Sequence, residues 1–410
     1  MKKLLALLLT LIMAVSVVSI VPTVSAEETV YTSGDFQYVK LNDKNIKITR
    51  YIGEGLDVVI PSKLDNYTVT RVGERLFYYN DKVIDKVTSV SFPNSVKKLD
   101  SFTLHGTYKI KKVTFGKYVT EIPDYFLFYC YGIKKSYTIP PQVTKVDESS
   151  FPRYLKTLIV GKGLKEFDGT YSLASFPSLE KIKVSRNNKY FSSKDGVLYN
   201  KKKTKLIAYP GGKKTAKFTI PSSVKTVGDG SFGGHGYLKN VTFTKNIKKI
   251  ENDAFANCCK LSSINIPKNI TSIGETAFYD CRAVTKLTIN ANKNLKIGYG
   301  AFSFLVKIKT LKVPNVSGNG VFSYCSGLSS ISIPSNVKTL TEDEFIECEN
   351  LVTVTIPKTV KKIGKRALGY LDNYYRSDYK KIKGFTIRGY KGSAGEKYAK
   401  KNGFKFVKIG

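Results

Sequence analysis

The chain has no tryptophan, only two histidines, six cysteines, and fewer than half as many acidic residues (32) as basic ones (67). Each shortage removes a class of function. The histidines lie beside glycine, in Leu104-His105-Gly106 and Gly234-His235-Gly236, and read as exposed turn residues. Neither belongs to a metal-ligand spacing such as His-Glu-x-x-His, so no metal and no cofactor is expected. The densest acidic cluster, Glu342, Asp343, Glu344, Glu347 and Glu349, runs along one turn and reads as a solvated face. Carboxylates placed that way do not face each other across a sugar, as glycoside hydrolysis requires. There is no Gly-x-Ser-x-Gly elbow, no phosphate-binding loop and no Cys-x-x-Cys pair. The one enzymatic reading left would place a site in the irregular stretch 155 to 212, and the expectation is a protein that catalyses nothing.

The chain begins with Lys2 and Lys3, the apolar run LLALLLTLIMAVSVV, and Val24-Ser25-Ala26 before Glu27-Glu28. That is the layout of a secretory signal with a small-residue cleavage site. As an uncleaved anchor the run would be short for a bilayer, and no second long apolar run follows. Without the two signal lysines, 65 basic residues face 32 acidic ones, a formal charge near +33. So large a field attracts polyanions. In an exported protein these are anionic wall polymers, acidic glycans or membrane surfaces, and nucleic acid is a poor candidate. Six cysteines are too few for a disulfide scaffold.

What the chain does have is a repeat. Units open at Val87, Ile110, Ile133, Leu155 and Leu179, spaced by 23, 23, 22 and 24 residues. A second run opens at Leu238, Leu261, Val284, Ile308, Leu328 and Leu351, spaced by 23, 23, 24, 20 and 23. Fixed self-similarity of this length marks a solenoid. In INIPKNITSIGETAFYDC, residues 264–281, Ile264 and Ile266 alternate as in a half-buried strand, and Pro267 ends its hydrogen bonding. Ile270 and Ile273 form a second apolar pair, Gly274 a turn, and Ala277-Phe278 a short helical turn. No single unit can bury these residues, whereas stacked units cover one another. The phenylalanines at 77, 126, 151, 232, 255, 278, 302, 322 and 345 share one phase and read as core. Cys130, Cys258, Cys281, Cys325 and Cys348 share another, three residues before the next unit, and read as small, free, buried hydrophobes. Strand-to-strand spacing would also allow stacked neighbours to bridge.

The pattern Leu-x-x-Ile-x-Ile-Pro-x-x-Val-x-x-Ile-Gly-x-x-Ala-Phe-x-x-Cys resembles the leucine-rich repeats of bacterial BspA-like surface proteins. The resemblance covers roughly residues 56 to 410, is specific in 238 to 284 and 328 to 368, and is looser at 155 to 200. It implies a leucine-rich-repeat solenoid: short parallel β-strands stacked into a curved sheet, with turns and short 3₁₀ or α segments opposite. The expected organisation is a signal peptide at 1–26, an N-terminal hairpin cap at 27–55, and repeats at 56–191. A hairpin insertion at 192–212 then divides the solenoid in sequence but not in space. Repeats at 213–381 and a capping unit at 382–410 with a helix at Gly392 to Asn402 complete the chain. About thirteen coils at roughly 4.8 Å each make a rod on the order of 60 Å long. The resemblance further implies a secreted or surface-retained protein that adheres to host proteins or other cells.

Two surface features stand out. Paired lysines recur between the apolar anchors: Lys97-Lys98, Lys248-Lys249 and Lys361-Lys362, with Lys111-Lys112 and Lys134-Lys135 beside them. They read as a candidate polyanion stripe whose members stack about 5 Å apart. Tyrosines cluster early, at 78, 79, 125, 129 and 131, and late, at Tyr370, Tyr374, Tyr375 and Tyr379. The late cluster lies in a stretch that lengthens its unit to 31 residues, and such breaks are where repeat proteins place binding. The absence of tryptophan argues against a dedicated glycan-binding module. The partner is therefore a protein or surface glycan of unspecified identity, or an anionic cell-wall polymer held by electrostatics.

Overall fold

The computed structural model describes residues 28–168, 173–290, 295–315, 318–373 and 378–410. The signal segment lies outside them. Most coils carry two short strands, and most of these pair in parallel with a counterpart in an adjacent coil. The first strand of the coil quoted above, Ser263–Ile266, pairs with Lys286–Ile289, Ile264 opposite Leu287. The second, Ser272–Ile273, sits between Lys249–Ile250 and Lys296–Ile297. The residue that opens the second apolar pair, Ile270, is buried just ahead of that strand. Turns close the coil on its third side, where Ala277 and Phe278 are buried.

Burial follows the sequence phase. In the second strands Val72, Leu99, Ile122, Val146, Ile250 and Ile297 point inward. On the turn side Phe232, Phe255, Phe278, Phe302, Phe322 and Phe345 form a continuous stack, with successive planes within 3° to 12° of parallel. Offset stacking of rings at these separations adds to the area each ring buries. All six cysteines are free, five of them buried and Cys259 exposed.

The N-terminus is an antiparallel meander of Tyr31–Ser33, Phe36–Lys40 and Asn45–Tyr51. Its last strand turns parallel and joins Tyr67–Val72 at the head of the second-strand column. Phe191–Lys194, Val197–Asn200 and Lys205–Ala208 repeat that device in mid-chain, their last strand joining Thr226–Val227. This segment does more than loop out. The hydrophobic interior resolves into two clusters that meet there: Val197, Tyr199 and Leu206 face one, Leu198 and Ala208 the other. A strand with alternating sides faces both clusters, and the sheet runs on unbroken from Phe191–Lys194 to Lys296–Ile297.

Near the C-terminus Tyr370–Asn373 and Asp378–Lys381 form an antiparallel arm. The helix Ala394–Asn402 follows, capped by Ser393 at its start and by Gly403 in the left-handed region at its end. Lys405–Lys408 closes the first-strand column against Thr386–Gly389. Among the described residues no helix is long and apolar enough to cross a membrane.

Candidate functional site

The outward residues of the second strands decide where charge accumulates. Inward and outward positions alternate, so one column of side chains lies along the solvent face of that sheet. At its head Lys47 is in register with Arg71, and Arg71 with Lys98. Three cations in consecutive coils are followed by Glu121, Lys145 and Glu166 in mutual register. In the second half the register runs Lys205, Thr226, Lys249, Ser272 and Lys296, and separately Thr339 and Lys362.

This corrects the expected stripe. In this column Lys249 stands between Thr226 and Ser272, with Lys205 and Lys296 two strand steps away, roughly 10 Å and about one screening length at 0.1 M salt, and Lys362 stands beside Thr339. Lys97, Lys98, Lys248, Lys249, Lys361 and Lys362 are all exposed on this face. Lys248 follows Lys225 directly and Lys361 follows Lys338, their amides bonding to the preceding lysine's carbonyl. The other lysine pairs lie elsewhere: Lys112 is in the first-strand column, opposite Ser89, and Lys135 adjoins that column at Ser136–Thr138.

The structure gathers cations most densely at the N-terminal end. An open groove of ≈ 920 Å³ is lined by Lys47, Arg50, Arg71, Arg75, Lys97 and Lys98 against three carboxylates, Glu74, Asp100 and Glu121. Its floor needs the chain to leave Tyr67–Val72 close to the preceding strand. Gly73 allows this: its amide donates to Ile48 O at 2.7 Å, where a Cβ would sit 3.1 Å from that oxygen. Arg71 donates to Asp100 at 2.6 Å and so is neutralised. Lys47 meets Glu28 at 3.5 Å. Arg50 is held over the ring of Tyr79 at 4.6 Å, and Arg75 over Tyr78 at 5.2 Å and Phe102 at 5.8 Å. A guanidinium stacked on a ring keeps its N–H edge free to fork onto a carboxylate or phosphate. The groove thus presents oriented guanidiniums to solvent beside its carboxylates.

Of the late tyrosines, the two described ones make different contacts. Tyr370 is half-buried, donates to Asn402 Oδ1 at 2.8 Å and packs edge-on against Phe404, so it ties the arm to the capping helix. Tyr379 is exposed beneath the Arg366 guanidinium at 4.2 Å. Tyr374 and Tyr375 lie outside the described residues.

Two titratable groups are buried where the sequence suggested exposure. His235 is fully buried, and its Nδ1 accepts from the amides of Tyr237 and Leu238 at 3.3 and 3.1 Å. Desolvation lowers its pKa to about 4. The missed signal was phase, because His235 stands three residues before Leu238, the place that cysteine takes in other units. Glu344 is likewise fully buried, at the phase of Ala277 and Ala301. Its Oε2 accepts from Thr341 N at 2.6 Å and Thr341 Oγ1 at 3.2 Å, while Oε1 has no partner. Burial raises its pKa to about 7. The acidic cluster is therefore only partly a solvated face: Asp343 and Glu342 pair with Arg366 at 2.6 and 3.2 Å. Among the described residues no group of three or more His, Cys, Asp or Glu side chains could hold a metal.

The family model described as BspA type leucine rich repeat region (6 copies) matches residues 26–151, 70–203, 208–318 and 315–375. A leucine-rich repeat protein from Eubacterium ventriosum is 25% identical with a TM-score of 0.62, over 83% of this chain and 94% of that one. The pneumococcal vaccine antigen PcpA is 20% identical with a TM-score of 0.54, over 93% of this chain and 99% of that one. A leucine-rich repeat protein from Bacteroides ovatus is 20% identical with a TM-score of 0.50, over 93% and 100%. No curated protein matches the chain.

Proposed function

We propose that this chain, which belongs to the BspA-type leucine-rich-repeat family, is an exported, surface-associated binding protein. It turns over no substrate and engages an anionic partner through the groove at its N-terminal end. One observation carries the reading: six cations converge on an open groove with half as many carboxylates, and two of the guanidiniums are already oriented by aromatic rings. Preorganised cations bind with less loss of side-chain freedom than free lysines do. Export is supported by the N-terminal residue pattern.

A second reading, retention on anionic wall polymers by charge alone, is favoured by the alternate-coil lysines Lys249 and Lys296. Co-sedimentation of the chain from Glu27 with bacterial cell walls between about 50 and 500 mM salt separates the two. The groove reading expects K97E/K98E to remove binding while K249E/K362E leaves most of it. Equal weakening by both pairs, with binding gone at high salt, would replace it with the second reading.

A further inference from the structure

The turn side of the coils beside the groove carries a feature that charge does not explain. Most coils leave the second strand through a residue in the left-handed region. Elsewhere this is Gly230, Gly300, Gly320, Asp253 or Asp343, and also Arg75, Thr276 and Arg366, with φ between +50° and +59°. Glycine and aspartate sit there at little cost and larger side chains at more. Two adjacent coils nevertheless place Phe102 (φ 61°) and Tyr125 (φ 53°) at this position. Their rings stack at 4.7 Å and 9°.

The two rings belong to a continuous aromatic tier. His105 packs edge-on against Phe102 at 5.3 Å and Tyr129 at 5.0 Å. Tyr131 joins Tyr129 at 6.0 Å, Tyr108 at 5.6 Å and Tyr154 at 5.1 Å. The tier is open to solvent, with Tyr129 37% exposed and Tyr108 and Tyr154 each near half. A contiguous exposed aromatic surface marks an interaction site. Arg75 links it to the groove, lining the groove while lying over Tyr78 and Phe102. Tyr79 lines the groove as well.

The tier's chemistry narrows the partner. Where Phe102 meets Tyr125 and Tyr108 meets Tyr131, ring faces are already covered by other rings. A nucleic-acid strand, which stacks its bases on free faces, is poorly served. Ring edges are the positive pole of the quadrupole, and the phenol hydroxyls and guanidiniums donate hydrogen bonds. Tyrosine and arginine together form the usual centre of a protein–protein contact. We propose that groove and tier form one composite docking surface for an acidic segment of a partner protein, its carboxylates in the groove and its apolar side chains on the tier. The proposal rests on the groove reading and adds to it the class of partner.

The test uses the chain from Glu27 and three fluorescein-labelled polyanions: poly-glutamate, a glutamate–tyrosine copolymer of matched length, and polyphosphate. Anisotropy at about 0.15 M salt reads the affinities. The copolymer is expected to bind about tenfold tighter than poly-glutamate, the size of one well-placed aromatic contact. Tyr108→Ser with Tyr154→Ser, both exposed in the tier and outside the groove lining, should erase that difference and leave polyphosphate binding and the thermal melt unchanged. If copolymer and poly-glutamate bind the native chain alike, or if the double variant keeps the difference, the tier is not part of the site and the proposal is overturned while the groove stands. If none of the three polyanions binds, the groove reading falls, and the proposal with it.

Discussion

The thiol of Cys281 donates to the backbone carbonyl of Phe255, one coil back, at 3.2 Å. That carbonyl already accepts the amide of Cys258 within its own turn, so the thiol occupies its second lone pair. The same relation recurs from Cys130 to Leu104, Cys258 to Phe232, Cys325 to Phe302 and Cys348 to Phe322, at 3.1 to 3.4 Å. The cysteine phase thus does more than fill space, since each thiol adds a cross-coil bond in a dry interior.

It follows that the native thiols should be inert apart from one. Burial pushes the Cys258 thiol up to about 12 and that of Cys281 well above its ordinary value, and the thiol form is a poor nucleophile. A disulfide reagent such as Ellman's should titrate one cysteine in the native protein, the exposed Cys259, and all six after unfolding in denaturant. Rapid native reaction of three or more would contradict the ladder.

Phe278 is held between Phe255 at 5.0 Å and Phe302 at 5.2 Å. Phe278→Ala should cost about 3 to 5 kcal/mol, the range for deleting a buried ring. In a solenoid each coil is stabilised mainly by its neighbours, so urea unfolding followed by circular dichroism should also become biphasic. Tyr299→Ala, at a site 59% exposed, should shift the curve by no more than about 0.5 kcal/mol.

His235 and Glu344 should give the stability opposite pH dependences. The folded state holds His235 at about 4 against an ordinary 6.5. Its contribution is therefore full above 6.5 and is lost as pH falls towards 4, by up to about 3 kcal/mol. Glu344 is held at about 7 against an ordinary 4.5. Its contribution is full below 4.5 and is lost as pH rises towards 7, again by about 3 kcal/mol. The two slopes offset in the native chain, and single variants separate them. Glu344→Ala should stabilise markedly at pH 8 and little at pH 4.5, and His235→Cys should flatten the acid side. Parallel pH profiles of native and variant proteins in urea unfolding would refute the assignment.

Much of the solenoid was legible because it is written locally. The 23-residue spacing, the alternation at Ile264 and Ile266, and the phase of Phe278 and Cys281 each recur within one coil, and burial follows them. His235 and Glu344 were misread because residue type was weighed above phase. A polar side chain at a core phase is buried by its neighbours' packing, whatever its own preference.

The candidate site was legible only in part. Lys97 and Lys98 were named, whereas Lys47, Arg50, Arg71 and Arg75 were not, although they line the same groove. No spacing rule connects them, because the N-terminal meander carries Lys47 and Arg50 to the column by antiparallel pairing before it turns parallel.

The sequence by itself determined the repeat, the architecture and the identity of the core, because apolar burial constrains those positions in every coil. Tertiary structure alone decided which charges become neighbours and which tyrosines form a surface. Exposed positions are under no packing constraint, so their grouping depends on register between coils and on the path of the irregular segments. Lys98 beside Arg71 and Lys249 beside Thr226 are alike in sequence, and only the stack makes one of them part of a groove.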